Sequence, residues 1–499
     1  MGERTLLIRA DASTDMGTGH VMRCLALAQA WQDSGGQCIF TMAESTSAVE
    51  RRLRDEGVNI GSLTAGVATA EDAAQTADVA GKENASWIVV DGYRFDSAYQ
   101  RAIKAAGFKL LFVDDNVHAE SYCADLVLNQ NVHASAGLYA QREPCTRLLL
   151  GPRYAMLRRE FRPWRNWRRE IPATGRKILV TMGGSDPNNL TIRAIEALRQ
   201  LSIPGVEAVV LVGGSNPHLR FLEDSTQRGP IRLIVDATNV PEQMAWADAA
   251  VAGAGTTFWE MCFLGLPGIL LVLAENQEGV ATAARKMGIA SSLGRGTEVS
   301  ASEIAAKLAE LLHSFEARAQ QSVNGQKLVD GRGAERVVAF LSGLQLRRTV
   351  ESDCELFWEW ANEPSARAAS FRNKTISWEH HAKWFREKMA DPRAILYTAT
   401  NSDGLPVGEV RYQTEGKRAV ISISLGERFR GCRCGHKILT IAIEEFFRDS
   451  EAESIDAYVK PTNEPSLKLF AAAGFVRVSP AVIEGQEAVH FVLGKSAFA

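Results

Sequence analysis

The residues best suited to chemistry stand in three glycine-rich turns. Arg9 to Arg23 reads RADASTDMGTGHVMR, a strand end, a turn and an apolar-periodic helix in that order. Gly17, Thr18 and Gly19 let the backbone turn tightly. His20 follows at the mouth of the helix, a side chain able to exchange a proton near neutral pH. A histidine at a helix start is more often a cap or a packing residue, so the other two turns matter. Gly183 to Pro187 reads GGSDP at another strand end. Glycine lets the backbone approach a ligand closely, and free N–H groups at a helix start suit a diphosphate. Gly253 to Glu260 reads GAGTTFWE. Glu260 stands one turn inside that helix, where a carboxylate can accept two hydrogen bonds from ribose hydroxyls or simply complement the helix dipole. AENQ then ends a strand with Asn276 and Gln277, neutral polar groups at the same edge.

Taken in order over about residues 5 to 340, RADAS, GTGHVMRC, VDGY, VDDN, GGSDP, GAGTTFWE and AENQ resemble the UDP-sugar hydrolases of pseudaminic acid biosynthesis. Those enzymes remove UDP from 2,4-diacetamido-2,4,6-trideoxy-β-L-altrose. The resemblance implies a two-domain glycosyltransferase-B fold of the MurG type, inversion at the anomeric carbon with water as acceptor, and no metal. It implies His20 as the catalytic histidine, Asn276 as an active-site asparagine and Glu260 as the ribose-binding acid. Gly184, Ser185 and Thr256 fall on loops expected to hold the diphosphate, with Gln277 beside Asn276. The chemistry agrees, because water attacking C1 needs a base, and UDP as leaving group needs oriented donors more than a strong acid. Many inverting glycosidases use two carboxylates, which brings in Asp11, Asp91, Asp114 and Asp115. Asp11 and Tyr93 are kept as substrate contacts. The competing reading is a glycosyltransferase that uses the same UDP site and passes the sugar to an acceptor. A broad hydrophobic acceptor groove would favour transfer, and the compact GTGH turn favours hydrolysis.

A second constellation lies near the C-terminus. Leu425 to Leu439 reads LGERFRGCRCGHKIL, and NEPSLKLFAAAGF follows from Asn463. Over about residues 345 to 495 the chain resembles the GNAT acetyltransferases. The resemblance implies that a loop after a strand holds the pyrophosphate of acetyl-CoA through N–H groups at a helix start. Arg430 and Gly435 match the two ends of that loop, with Gly431 and Arg433 between them as expected cofactor-binding positions, and Asn463 and Ser466 match the later motif. Arg433 stands where the family has glycine, so it either adds a phosphate contact or obstructs close approach. Phe470 stands where many members have a tyrosine acid. The segment WEWANEPSARAASFRNKTISWEHHAKWF resembles the nucleotide-sugar N-acetyltransferases of the same pathway, which acetylate the 4-amino group just before the hydrolase step. His380, His381 and Glu409 are conceivable bases, with core or surface roles as the plainer reading. The alternative is a degenerate, non-catalytic binding module.

These residues need elements to position them. LLIRA, CIFTMA, WIVVDG, LLFVDD and DLVLNQ alternate with helical patterns such as Val21 to Gln32 and Ser97 to Ala106, the rhythm of βαβ units. The stretch from Arg158 to Arg176, polar and with two prolines, reads as a linker. KILVTMG, EAVVLVGG, RLIVDAT, DAAVAGAG and PGILLVLA restart the rhythm. A ligand is expected in the cleft outside the carboxyl ends of the two sheets. The third block begins with helical segments, Asp353 to Asn362 and Ser377 to Met389. The strands ILYTAT, VGEVRYQ and AVISISL follow, then the helix Gly435 to Ser450 and the strand SIDAYV. The predicted class is α/β, two Rossmann-like domains (1–165 and 172–341) in a glycosyltransferase-B arrangement, followed by an α+β GNAT domain (345–499).

Composition bounds the rest. The 499 residues are too many for one core. A formal net charge of −3 offers no basic field for nucleic acid. No signal peptide is visible, and the most apolar stretch, Leu266 to Ala274, is too short to span a bilayer. The eight scattered cysteines read as reduced thiols of a cytoplasmic protein. Cys432, Cys434 and His436 are too tightly spaced, and lack a fourth ligand, for a zinc site. The partners expected are UDP-linked amino sugars and acetyl-CoA, with neither nucleic acid nor membrane and with no metal.

Overall fold

The computed structural model of the chain describes residues 4–14, 16–227, 230–401, 404–430 and 434–497. The chain divides into two compact units, Met1–Glu335 and Arg336–Ala499.

The first unit holds two sheets. Strands β1 (Thr5–Ala10), β2 (Gln37–Met42), β3 (Asn59–Ser62), β4 (Ala85–Asp91), β5 (Leu110–Val113), β6 (Leu126–Asn129) and β7 (Arg147–Leu150) pair in the order β3-β2-β1-β4-β5-β6-β7. Strands β8 (Lys177–Thr181), β9 (Glu207–Val212), β10 (Ile231–Val235), β11 (Ala249–Gly253), β12 (Gly268–Val272) and β13 (Ser291–Arg295) pair in the order β10-β9-β8-β11-β12-β13. The pairs beside the first strand of each sheet are parallel, β1 with β2 and β4, β8 with β9 and β11. Residues such as Leu6, Leu7, Ile8, Ile178, Leu179 and Val180 are fully buried, as strands covered on both faces by helices must be. The strand order reverses beside β1 and again beside β8, and ligand crevices open at such points. Strands β3, β7 and β13 lie at sheet edges. Their sequences NIGS, RLLL and SSLGR are too short or too mixed to announce a strand.

The expected linker is not a loose tether. Phe161 is buried in the core of the second sheet. Arg169 donates to the carbonyls of Met244, Ala247 and Leu264. Arg159 and Arg162 pair with Asp33, and Arg162 and Arg165 with Glu335. The linking run is therefore a set of arginines satisfying carboxylates and helix-end carbonyls.

The second unit is one mixed sheet, β14 (Gln345–Arg348), β15 (Ala394–Thr400), β16 (Pro406–Glu415), β17 (Arg418–Leu425), β18 (Ser454–Val459), β19 (Val476–Arg477), β20 (Ala481–Ile483) and β21 (Gln486–Gly494). The order is β14-β15-β16-β17-β18-β21-β19, with β20 on β21. Val410, Tyr412, Ala419 and Ile421 alternate onto one face and pack with Ile438, Leu439 and Phe446 of the helix Cys434–Asp449. A separate cluster joins Phe357 and Trp360 of the helix Cys354–Asn362 to Phe385 of the helix Trp378–Ala390. The parallel pair β17–β18 holds register only from Arg418 to Val420, while β17 pairs with β16 along its whole length. The two strands therefore part toward Leu425. The observed architecture is the predicted one: two parallel-sheet domains of glycosyltransferase-B type followed by an α+β sheet of GNAT type.

Candidate active site

Parallel register sets Ala10 at the end of β1 opposite Asp91 at the end of β4. The helix Gly19–Asp33 starts from the turn after β1, and its first turn brings His20 back over that edge. His20 is buried, with Nδ1 2.6 Å from Asp91 Oδ1. Arg23, one turn later, donates Nε to Asp91 Oδ2 and Nη2 to Asp91 Oδ1, both at 2.6 Å, and Nη1 to Asp115 at 2.5 Å. Burial alone would raise the Asp91 pKa, but the charge of Arg23 and the hydrogen bonds from Arg23 and His20 outweigh it and hold the carboxyl well below the usual range. Arg23 Nη2 also lies 3.1 Å from His20 Nδ1. The nearer and charged acceptor decides the tautomer, so Nδ1 carries the proton toward Asp91. Nε2 has no hydrogen-bond partner among the described residues.

The ring of Tyr93 stands edge-on to His20 with centroids 4.6 Å apart. Its hydroxyl accepts from Asn276 Nδ2 at 2.6 Å. Burial and then the charge of Asp115 push the phenol pKa up, so the group stays neutral. Asn276 lies in the short turn Glu275–Gln277 after β12. His20, Tyr93 and Asn276, from three turns and two sheets, are thus brought together.

The glycine-rich turns also meet. A Cβ on Gly184 would sit 1.8 Å from Thr18 Oγ1, so only glycine lets the two turns seat against each other. Gly17, at φ +84°, faces Ser185 Oγ, and Gly19 faces Thr256 Oγ1. Thr256 opens the helix Thr256–Phe263, whose start has no capping side chain and no acid in its first turn. That end keeps its positive dipole for an anion. The GGSDP turn behaves differently from expectation. Asp186 Oδ1 accepts from Leu190 N, and Oδ2 accepts from Thr191 N and Thr191 Oγ1. The start of the helix Leu190–Gln200 is thereby already capped, which leaves Gly184 and Ser185 as the part of that turn facing Gly17 and Thr18.

The other sequence-derived residues are engaged. Glu260 Oε1 accepts from Arg158 Nη2 at 2.9 Å, and burial raises the Glu260 pKa despite that arginine. Gln277 Oε1 folds back onto Leu273 N at 3.0 Å. Asp11 Oδ1 accepts from Arg9 Nη1, Ala43 N and Glu44 N, while Oδ2 is buried with no hydrogen-bond partner. Asp114 accepts from Tyr122 Oη and the backbone of Asn116 and Val117, and lies 3.0 Å from His118 Nδ1. It is part of the fold rather than of the His20 cluster.

In the second unit, Gly431 and Arg433 lie outside the described residues. Arg430 donates Nε to Leu425 O at 3.0 Å and is held by Glu363 and Ser365. A Cβ on Gly435 would meet Leu425 and Leu469 at 3.2 and 3.7 Å. Asn463 caps the helix Glu464–Ala472, its Oδ1 accepting from Ser466 N. Phe470 packs into the core against Phe475 and Phe491. His381 is buried, with Nε2 3.1 Å from Cys354 O, and burial lowers its pKa; His380 is exposed. Glu409 is buried, its Oε2 without a hydrogen bond and 3.7 Å from Arg411 Nε, and burial raises its pKa. His436 Nε2 lies 3.1 Å from Ala472 O.

Sequence reasoning ranked Asp91 only as one of four carboxylates and left out Arg23 and Arg158. The usable signal for Asp91 was the polar end of WIVVDG, but nothing local says that β4 lies beside β1. Among the described residues, no group of three or more His, Cys, Asp or Glu is arranged to hold a metal ion. No helix among them is long and apolar enough to cross a membrane.

Fold and site define a sugar-nucleotide unit of glycosyltransferase-B type joined to a GNAT acetyltransferase domain. Comparison with known proteins agrees at that level. Residues 178–336 match the glycosyltransferase family 28 C-terminal domain, and residues 344–476 match the acetyltransferase (GNAT) domain. An uncharacterized protein of Methanocaldococcus jannaschii is 23% identical over 487 residues, 94% of this chain and 96% of the relative. The UDP-2,4-diacetamido-2,4,6-trideoxy-beta-L-altropyranose hydrolase of Campylobacter jejuni is 26% identical over 287 residues, 57% of this chain and 97% of the relative. The spore coat polysaccharide biosynthesis protein SpsG of Bacillus subtilis is 28% identical over 237 residues, 47% of this chain and 69% of the relative.

Proposed function

We propose that the unit Met1–Glu335 hydrolyses a UDP-linked amino sugar at C1 with inversion, its substrate being UDP-2,4-diacetamido-2,4,6-trideoxy-β-L-altrose. The observation behind this is the His20–Asp91 contact at 2.6 Å, which leaves Nε2 as a base where the glycine-rich turns meet. The Campylobacter relative, matched over nearly all its length, supports the sugar. Nε2 takes a proton from water as the water oxygen bonds to C1. The C1–O bond to the β-phosphate breaks on the opposite face, and the electron pair leaves with UDP. Asp91 stabilises the imidazolium that forms. Thr256 at its helix start and the Gly184–Ser185 turn meet the charge developing on the diphosphate. Glu260 holds the ribose, and Tyr93 and Asn276 hold the sugar.

The second unit, in this reading, transfers acetyl from acetyl-CoA to the 4-amino group of the precursor UDP-sugar. The cofactor site in this reading is the fork where β17 parts from β18, with Arg430 beyond β17, Gly435 at the start of the helix Cys434–Asp449, and Asn463 and Ser466 at the next helix start. The amine nitrogen bonds to the thioester carbon, the C–S bond breaks, and CoA leaves with the proton the amine gives up. Glu409, buried with Oε2 facing Arg411 but without a hydrogen bond, is the base we favour.

His20→Ala tests the first activity. UDP release from the diacetamido substrate should fall about 10²–10⁴-fold, while UDP affinity by calorimetry stays within a few-fold of wild type. Turnover near wild type removes His20 from the mechanism. For the second activity, the intact chain with acetyl-CoA and the 4-amino UDP-sugar should release free thiol, with the rate falling at acidic pH as the amine is protonated. A chain that hydrolyses the acetylated sugar but never releases thiol would reduce the GNAT domain to a binding module.

A further inference from the structure

The tyrosines of the second unit are Tyr397, Tyr412 and Tyr458. Tyr397 and Tyr412 lie in its core, where their hydroxyls are buried without a hydrogen bond. Tyr458 is only half-buried, and it stands on the other face of the sheet, since its neighbours Ala457 and Val459 point into the core. It also stands at the fork. β17 and β18 run parallel and pair only as far as Val420 opposite Asp456. Tyr458 comes two residues further along β18, on the same face as Asp456, at the level where β17 has left.

Its ring is held from the far side. Register sets Tyr458 opposite His490 of β21, and the two rings stack with centroids 4.6 Å apart and planes 19° apart. His490 Nε2 donates to Asp456 Oδ1 at 2.7 Å. Asp456 is buried and also accepts from Arg418 Nε at 3.0 Å. Burial would raise the Asp456 pKa, but the hydrogen bonds from Arg418 and His490 outweigh it and lower the value. Arg418, Asp456 and His490 thus buttress the phenol on the β21 side. Because β18 lies between β21 and β17, the other side of the ring is toward the gap. Phe470, packed against Phe475 and Phe491, has no proton to give.

We propose that Tyr458 is the general acid of the second unit: its Oη gives a proton to the sulfur of the departing coenzyme A, and His490 is the positioning residue that fixes its ring. The proposal rests on the acetyltransferase reading and supplies the group that protonates the leaving thiolate. As the amine nitrogen bonds to the thioester carbon, the C–S bond breaks and its electron pair goes to sulfur. The Oη–H proton moves to that sulfur, and the phenolate regains a proton from water. The amine's own proton passes through Glu409 to water, so one proton is taken up and one released. Phenols and thiols ionise in one range, at pKa values of about 8.5–10, so transfer between them is close to balanced.

Tyr458→Phe in the intact chain tests this with two readouts. The first is binding without turnover. In mildly alkaline buffer, where the thiol begins to ionise, calorimetry should show wild type preferring CoA to desulfo-CoA by about threefold or more, the worth of one hydrogen bond to the sulfur. Tyr458→Phe should bind desulfo-CoA as wild type does, which shows the site intact, and should lose the preference for CoA. The second is thiol release from acetyl-CoA with the 4-amino UDP-sugar. There kcat should fall about 10²-fold or more, with KM for acetyl-CoA within a few-fold of wild type. His490→Ala should lose about tenfold in kcat, and His490→Phe, which keeps a ring beside the phenol, should recover most of that loss. No preference for CoA in wild type, a preference that survives in Tyr458→Phe, or a Tyr458→Phe kcat within about threefold of wild type overturns the proposal while leaving acetyl transfer standing. Equal turnover by His490→Ala and wild type removes His490 from it. A wild-type chain that releases no thiol overturns the acetyltransferase reading itself.

Discussion

Replacing Asp91 by Asn removes one charge and exchanges one acceptor for a donor at the centre of the site. In the wild type each carboxylate oxygen has two donors: Oδ1 takes His20 Nδ1 and Arg23 Nη2, and Oδ2 takes Arg23 Nε and Cys24 Sγ. An asparagine must aim its NH₂ at one of these sets. Facing Arg23 Nε sets a donor against a cation. Facing His20 avoids part of that cost but obliges Nδ1 to accept, which moves the ring proton to Nε2 and removes the base from the water. The imidazolium of the transition state also loses its counter-charge. A loss of about 10²–10⁴ in kcat follows, or about 2.8–5.6 kcal/mol of barrier at about 1.4 kcal/mol per tenfold. Stability should fall too. Breaking a buried ion pair costs about 3–5 kcal/mol, and Asp115, still bonded to Arg23 Nη1, offsets part of it. The nucleotide turns contain neither residue, so UDP affinity should hold. The assay is release of UDP from the diacetamido sugar nucleotide at saturation, beside UDP calorimetry and a thermal melt of each protein. A folded Asp91→Asn variant turning over within about threefold of wild type would refute the reasoning from tautomer and charge.

Two further outcomes follow from ion pairs in the first unit. Glu260→Ala should weaken UDP binding about tenfold or more, since a charge-assisted hydrogen bond is worth roughly 1.5–3 kcal/mol. Arg158→Met in that background should recover stability without recovering affinity; unchanged UDP affinity in Glu260→Ala would count against the ribose assignment. His118→Gln removes the partner of Asp114. Burial opposes the charged imidazole, but Asp114 outweighs it and raises the His118 pKa, while the Asp114 pKa is lowered for the reciprocal reason. A raised folded-state pKa stabilises below the unfolded histidine value and ceases to as pH rises through the folded one. The stability gap between wild type and His118→Gln should therefore be widest in mildly acidic solution, above the ordinary carboxylate range, and should narrow at alkaline pH. A gap that widens with rising pH in denaturant titrations would reverse the sign of this argument.

Much of the architecture was legible because it depends on periodicity. Apolar runs of five residues alternating with helical patterns specify parallel strands and crossovers, and the change of rhythm after Leu344 marks the mixed sheet. The edge strands escaped because β3, β7 and β13 pair on one side only and need little apolar surface. The run from Arg158 to Arg176 does link the two sheets, and its packing was not legible because an arginine becomes a polydentate donor only where carbonyls surround it, as Arg169 shows.

What the sequence by itself determined is the chemistry available at the turns. Gly17 and Gly184 are there because a left-handed φ and a close approach exclude a side chain, and a histidine beginning a helix after a strand must stand at the carboxyl edge of its sheet. Which carboxylate meets that histidine was decided by the tertiary structure alone. Asp91, Asp114 and Asp115 all follow short apolar runs, and local patterning cannot rank them. The strand order β2-β1-β4 sets Asp91 opposite Ala10, and the first turn of the helix after β1 brings His20 and Arg23 down onto it together. Likewise Asp186 caps a helix and Asp11 keeps one oxygen in reserve only because neighbours distant in sequence supply or withhold donors. Hydrogen bonds of this kind depend on fractions of an ångström between segments tens of residues apart, a distance that propensity and periodicity do not encode.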